Sequence, residues 1–144
     1  MNRFFSSKNT LTIAILWGLV LILLAILYIT IQSGERNVLS ILVVILTICL
    51  VIWILFDTRY VINSHFLLYR QGPFRGRINI MNIKSIENFS GMIPPVTMKP
   101  ALGNDGFIIN YDQYDSVFMT PQKKSIFIAE LMKINSNIDI SKVN

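Results

Sequence analysis

Two long stretches without a charged side chain dominate the N-terminal part of the chain. Residues 11–31 read LTIAILWGLVLILLAILYITI and residues 38–56 read VLSILVVILTICLVIWILF. Each is apolar on every side, whereas a helix at the edge of a soluble core keeps a polar stripe. Uncharged apolar runs of about 18 residues or more are long enough to cross a bilayer. At ~1.5 Å per residue the first run extends roughly 31 Å as a helix. It exceeds the usual apolar region of a signal peptide, and no A-x-A-like cleavage site follows it. The six residues between the runs, Gln32-Ser33-Gly34-Glu35-Arg36-Asn37, leave room only for an antiparallel helical hairpin with both outer ends on one side.

After residue 56 the period changes from continuous to alternating. Tyr60-Val61-Ile62 and Phe66-Leu67-Leu68-Tyr69-Arg70 are β-prone runs separated by Asn63-Ser64, a turn pair. Gln71-Gly72-Pro73-Phe74 is a second turn. In Arg75-Gly76-Arg77-Ile78-Asn79-Ile80 the isoleucines fall on one face and Arg75, Arg77 and Asn79 on the other. Ile83 and Ile86 continue the pattern after a local turn. These features predict an antiparallel meander. Residues 88–106, NFSGMIPPVTMKPALGNDG, carry three prolines and three glycines and predict an irregular segment. Gly106–Tyr111 and Ser116–Met119 predict a further hairpin around Asp112-Gln113-Tyr114-Asp115. Thr120-Pro121 reads as an N-cap and first helical residue. Phe127, Leu131 and Ile134 then recur at helical spacing until Asn135-Ser136-Asn137. The expected fold class is α+β: a two-helix transmembrane hairpin (1–56, including an N-terminal tail), then a small antiparallel β domain with a C-terminal helix (57–144).

Composition sharpens this picture. The 144 residues are 53% hydrophobic with a mean hydropathy of +0.55, above the usual ~45–50% apolar of soluble domains. The net charge is +5. Arg3 and Lys8 precede the first apolar run, and Arg59, Arg70, Arg75 and Arg77 follow the second, while the link has only Arg36 beside Glu35. Lys and Arg concentrate on the cytoplasmic side of membrane proteins, so both termini and residues 57–144 are expected in the cytoplasm. Tyr28 and Trp53 suit interfacial anchoring, and Trp17 falls deeper. The part beyond residue 56 has ten Lys/Arg against seven Asp/Glu, too mild an excess for a nucleic-acid partner.

The residues YVINSHFLLYRQGPFRGRINIMNIKSI resemble the opening of a bacterial pleckstrin-homology-like domain found in short membrane-anchored proteins. Tyr60, Leu68, Arg70, the Gly72-Pro73-Phe74 turn, Ile78, Ile80, Ile83 and Ile86 carry the resemblance. Ile109, Tyr111, Pro121 and Phe127 extend it, so that it covers about residues 57–140. The family includes the immunity protein for the bacteriocin sublancin, so the resemblance implies a small β domain and, as one function, self-immunity. Pro100-Ala101-Leu102 matches the family's middle region. The polar and basic residues that tend to follow it are replaced here by Gly103-Asn104-Asp105-Gly106.

Candidate chemistry is sparse. One cysteine, Cys49, and one histidine, His65, exclude a disulfide within the chain and a Cys/His metal set. Cys49 lies in an apolar run, where a thiolate is disfavoured. Ser64 adjoins His65, and strand neighbours point to opposite faces, so no Ser–His pair is expected. Asp112 and Asp115 flank a turn, where carboxylates bond to the nearby backbone. Gly103–Gly106 lacks the Lys-Ser/Thr of a phosphate loop. No catalytic residue, cofactor or metal is therefore expected. Two surfaces remain as candidate contacts with lipid or a partner. Arg70, Arg75 and Arg77 surround one turn close to the end of the second apolar run; the alternative for them is a solvated face of the kind any basic cytoplasmic flank presents. Met92 and Ile93 are apolar residues in the irregular segment; the alternative for them is a loop folded back on its own core. The expected function is that of a membrane-anchored, non-enzymatic binding protein. Its expected partners are the bilayer and either a bacteriocin or a membrane protein; the alternative role is a scaffold or accessory subunit of a larger membrane complex.

Overall fold

The computed structural model describes residues 2–34, 37–91 and 93–143. Both apolar runs are helices: α1 spans Thr10–Gln32 and α2 spans Val38–Phe56. Asparagines start both. The Asn9 side chain accepts from the Leu11 N–H (3.0 Å), and the Asn37 side chain accepts from the Leu39 N–H (3.1 Å), satisfying backbone donors that a helix start leaves free. Gly34, at φ 75°, turns the chain after α1 in the left-handed conformation that glycine adopts without strain. The helices meet through Val20, Val51 and Leu55, with Leu16 and Ile48 alongside. The rest of their surface is largely exposed apolar side chains, and both are long and apolar enough to cross a membrane.

The remaining elements build two four-stranded sheets. The first has the order β1-β2-β3-β4, with β1 at Asn2–Phe5, β2 at Thr58–Asn63, β3 at Phe66–Gln71 and β4 at Phe74–Asn79. A short 3-10 turn, Ile80–Asn82, leads into the second sheet, ordered β7-β6-β5-β8. Here β5 is Ile83–Ser90, β6 Asp105–Tyr111, β7 Asp115–Met119 and β8 Asp139–Lys142. Helix α3, Lys124–Ile134, fills the space between the sheets with Phe127 and Leu131, both fully buried. Its C-terminal Asn135 is buried as well and donates from its side chain to the Ile80 carbonyl at 3.0 Å. That bond ties the helix end to the turn between the sheets.

Four features differ from the sequence expectation. The N-terminal segment is strand β1 rather than a tail: Phe4 pairs with Tyr60, and Arg3 with Val61. The first sheet thus takes one strand from before the hairpin. Helix α3 begins at Lys124, not Pro121, because 120–122 stays extended along β1. Pro121 bridges Ser6, and the Gln122 N–H donates to the Phe5 carbonyl at 3.1 Å. The irregular segment is shorter than expected, since β5 reaches Ser90 and β6 starts at Asp105. Finally, β8 follows α3 and lies parallel to β5.

Candidate functional site

Strict alternation places the arginines. In β2, β3 and β4 the buried side chains Tyr60, Ile62, Leu67, Tyr69 and Ile78 point to the core, so their neighbours point outward. Arg59 is opposite Arg70, which is opposite Arg75. Two residues further along, Arg3, Val61, Leu68 and Arg77 form a second cross-strand row. The outer face of the first sheet therefore displays five of the chain's six arginines, while none of the seven lysines lies in its strands. The sixth, Arg36, is outside the described residues. Neighbouring strands are about 5 Å apart, so Arg59, Arg70 and Arg75 form a line of like charges.

One carboxylate offsets part of that line. Asp57, the residue that ends α2, approaches the Nε of Arg70 at 2.6 Å and that of Arg59 at 3.2 Å. It also accepts a hydrogen bond from the Trp53 indole at 3.1 Å. Arg3, Arg75 and Arg77 have no ion pair among the described residues. Arg77 lies over the Phe66 ring, 5.7 Å from its centroid, a contact that neutralises nothing. A cleft of about 330 Å³ opens on this face, lined by Arg3, Arg59, Arg70 and Arg75 with Val61 and Leu68 among them.

The face is fixed against the helix ends. The β3–β4 turn places Gly72 at φ 55°, where an added Cβ would lie 3.0 Å from the Ile54 side chain, and the Gly72 N–H donates to the Asp57 carbonyl at 3.2 Å. Glycine is required there by both conformation and space. Phe56, Phe5 and Phe74 are all more than half exposed, and each neighbours this end of the sheet in sequence or register.

Arg70, Arg75 and Arg77, expected from sequence to share a turn, do share one face. Arg59 and Arg3 join them and were not singled out beforehand. For Arg59 the signal was its alternation with Tyr60 and Ile62. For Arg3 a four-residue strand gives too little pattern. Met92 lies outside the described residues. Ile93 is 89% exposed, but it sits on the 93–104 segment, which packs on the second sheet and is not part of the arginine face. The rest of that segment folds back on the domain: Val96 and Ala101 pack with Phe118 and Ile108.

Asp112 and Tyr60 bond within the fold. Asp112, in the β6–β7 turn at φ 50°, accepts at 2.5 Å from the side chain of Asn82, which ends the 3-10 turn between the sheets. His65 occupies the β2–β3 turn. Tyr60 is buried; its hydroxyl donates to the Pro100 carbonyl at 2.8 Å and accepts from the Thr120 N–H at 3.2 Å. Burial raises its pKa above the usual tyrosine value. Among the described residues no three His, Cys, Asp or Glu side chains gather as metal ligands would.

The bacterial PH domain family matches residues 58–135, from the start of β2 to the end of α3 and just over half of the chain. The chain belongs to that family. No curated protein and no solved structure matches it significantly. In this PH domain, strand β1, the helical hairpin and β8 lie outside the matched residues. The arginine face is therefore assembled from both: Arg59, Arg70, Arg75 and Arg77 come from the matched region and Arg3 from before the hairpin.

Proposed function

We propose that the chain is a membrane-anchored, non-enzymatic binding protein. Its hairpin holds the PH domain at the cytoplasmic face, and the domain acts by occupying a partner. The observation that carries this reading is the pairing of β1 with β2. These strands directly precede α1 and follow α2, so the domain is built onto both helices rather than hung from one linker. The same pairing supports a shared side for the two outer ends of the hairpin, and the Lys/Arg asymmetry supports the cytoplasm as that side. Anchoring raises the local concentration of a binding surface at the membrane without any added contact.

The specific form of occupancy suggested by the sequence resemblance is immunity to a sublancin-type bacteriocin, by binding the peptide or shielding its target. Expression of the full chain in a sensitive strain should then raise resistance to one bacteriocin and not to unrelated ones. A panel without protection would remove the immunity form. The second reading, an accessory subunit of a larger membrane complex, is favoured by the limited contact between α1 and α2, which leaves most of both helices open to another transmembrane partner. Purification of the full chain in mild detergent, with identification of the proteins and lipids retained, tests the binding role itself. Recovery of the chain alone would count against it.

A further inference from the structure

We infer that the outer face of the first sheet docks on the anionic phospholipid headgroups of the leaflet from which the hairpin emerges. The inference rests on the membrane-anchored reading and adds the ligand class and the surface. Four observations converge on it.

The first is segregation: five of six arginines occupy this face, and no lysine does. A requirement for solubility or for basic cytoplasmic flanks would be met equally by lysine. Arginine's planar fork, which binds phosphate bidentately, distinguishes the two. The second is an unrelieved cost. Arg70 faces Arg75 directly across two strands, and like charges in that relation destabilise a sheet. Among the described residues Asp57 pairs with Arg59 and Arg70 only. A local conflict of this kind marks a functional surface. The third is position. Arg59 is three residues beyond the end of α2, and the β3–β4 turn between Arg70 and Arg75 touches Ile54 of that helix. The second row, with Arg3 and Arg77, is only about 7 Å further along the strands. Both rows therefore lie within about one Debye length of a surface at the helix ends at 0.1 M salt. The fourth is the exposed aromatic set at the same edge: Phe5, Phe56 and Phe74, with Trp53 bonded to Asp57. Trp is a residue of the interfacial belt at the headgroup level, and the three phenylalanines give that edge an exposed apolar rim.

The test uses the full chain in lipid nanodiscs, either pure phosphatidylcholine or phosphatidylcholine mixed with phosphatidylglycerol. Phenylglyoxal modifies accessible guanidinium groups, and mass spectrometry reads each arginine separately. In the anionic discs Arg3, Arg75 and Arg77 should react about fivefold more slowly, the factor expected from even one well-placed cation at an anionic surface. Salt near 1 M should abolish the difference, since screening then acts over about 3 Å. Acetylation of Lys142, on the second sheet, should be equal in both discs. The double substitution Arg75→Gln and Arg77→Gln changes two exposed side chains and spares the core, and it should reduce the protection of Arg3. Equal arginine rates in the two discs would overturn the inference. If the same arginines were then protected in discs made from native membranes, the face would bind a protein, and the binding role would survive without the lipid. No protection in any disc, with no partner co-purifying, would remove both.

Discussion

The hydroxyl oxygens of Ser6 and Thr120 lie 2.9 Å apart in the buried interior. One belongs to the last residues before α1 and the other to the link between β7 and α3. Around them the Leu102 N–H donates to Ser6 Oγ at 3.2 Å, and the Thr120 N–H donates to the Tyr60 hydroxyl at 3.2 Å. Four segments distant in sequence are thus joined by one polar cluster beside the start of the hairpin. The Pro100-Ala101-Leu102 segment has its structural role here, as the acceptor for Tyr60 and the donor to Ser6.

Groups in one buried network do not contribute independently. Ser6→Ala and Thr120→Ala should each destabilise the full chain by about 1–3 kcal/mol, because each leaves a buried partner unsatisfied. The double substitution should cost clearly less than the sum. Denaturant unfolding in detergent reads the difference, and simple additivity would show that the two hydroxyls act separately.

Strand β1 contributes Phe4, whose ring packs edge-on against Phe127 at 5.2 Å between centroids. Phe4→Ala should cost about 3–5 kcal/mol, as for other buried phenylalanines. Residues 57–144 alone lack this strand and should unfold at lower temperature than a version in which a Gly/Ser linker replaces residues 8–56. Equal melting temperatures for these two soluble proteins would mean that β1 adds nothing to the domain.

Two glycines should tolerate a methyl group to different degrees. At Gly106 a Cβ would fall on the carbonyl oxygen of Met119 in the neighbouring strand, which cannot move without breaking the sheet. At Gly76 it would fall on the tip of the buried Tyr69 ring, a side chain that can give way by a small shift without breaking the sheet. Overpacking costs about 1–3 kcal/mol. Gly106→Ala should reach or pass the top of that range and Gly76→Ala should stay near the bottom, as measured by thermal unfolding.

Alkaline pH should unfold the domain through its buried tyrosine. The pKa of Tyr60 is raised above 10.0 in the fold, chiefly by burial. Below pH 10 the phenol is neutral in both folded and unfolded chains and stability is unaffected. Above it the unfolded chain loses the proton first, so stability falls until the folded pKa is passed. Tyr60→Phe should flatten this decline while lowering stability at neutral pH. Part of the decline should persist, because Tyr69 and Tyr111 are also raised by partial burial. An unchanged slope in the variant would assign the alkaline loss to other groups.

Reporter fusions address orientation. An enzyme active only in the cytoplasm should work when joined after residue 144, and one active only outside should work when inserted in the 33–37 link. The opposite pattern would put the domain outside the cell and reverse the sidedness of the arginine face.

The sequence alone determined the elements whose signal is local. The two long apolar helices follow from uninterrupted uncharged runs. β2, β3 and β4 follow from period-two alternation punctuated by Asn63-Ser64 and Gly72-Pro73. The same alternation already put Arg75 and Arg77 on one side of their strand. Tertiary structure decided what depended on partners far along the chain. Residues 2–5 are a strand only because β2 offers an edge and Phe127 a pocket, contacts separated from them by more than fifty residues. Thr120 and Pro121 have the chemistry of a helix start, yet Thr120 bonds to Ser6 and Pro121 bridges it, so the chain stays extended until Lys124. The same non-local pairing set the candidate surface. Strand register aligned Arg59, Arg70 and Arg75, and β1 brought Arg3 beside them, because a cross-strand row is a relation between strands and no single stretch of sequence contains it.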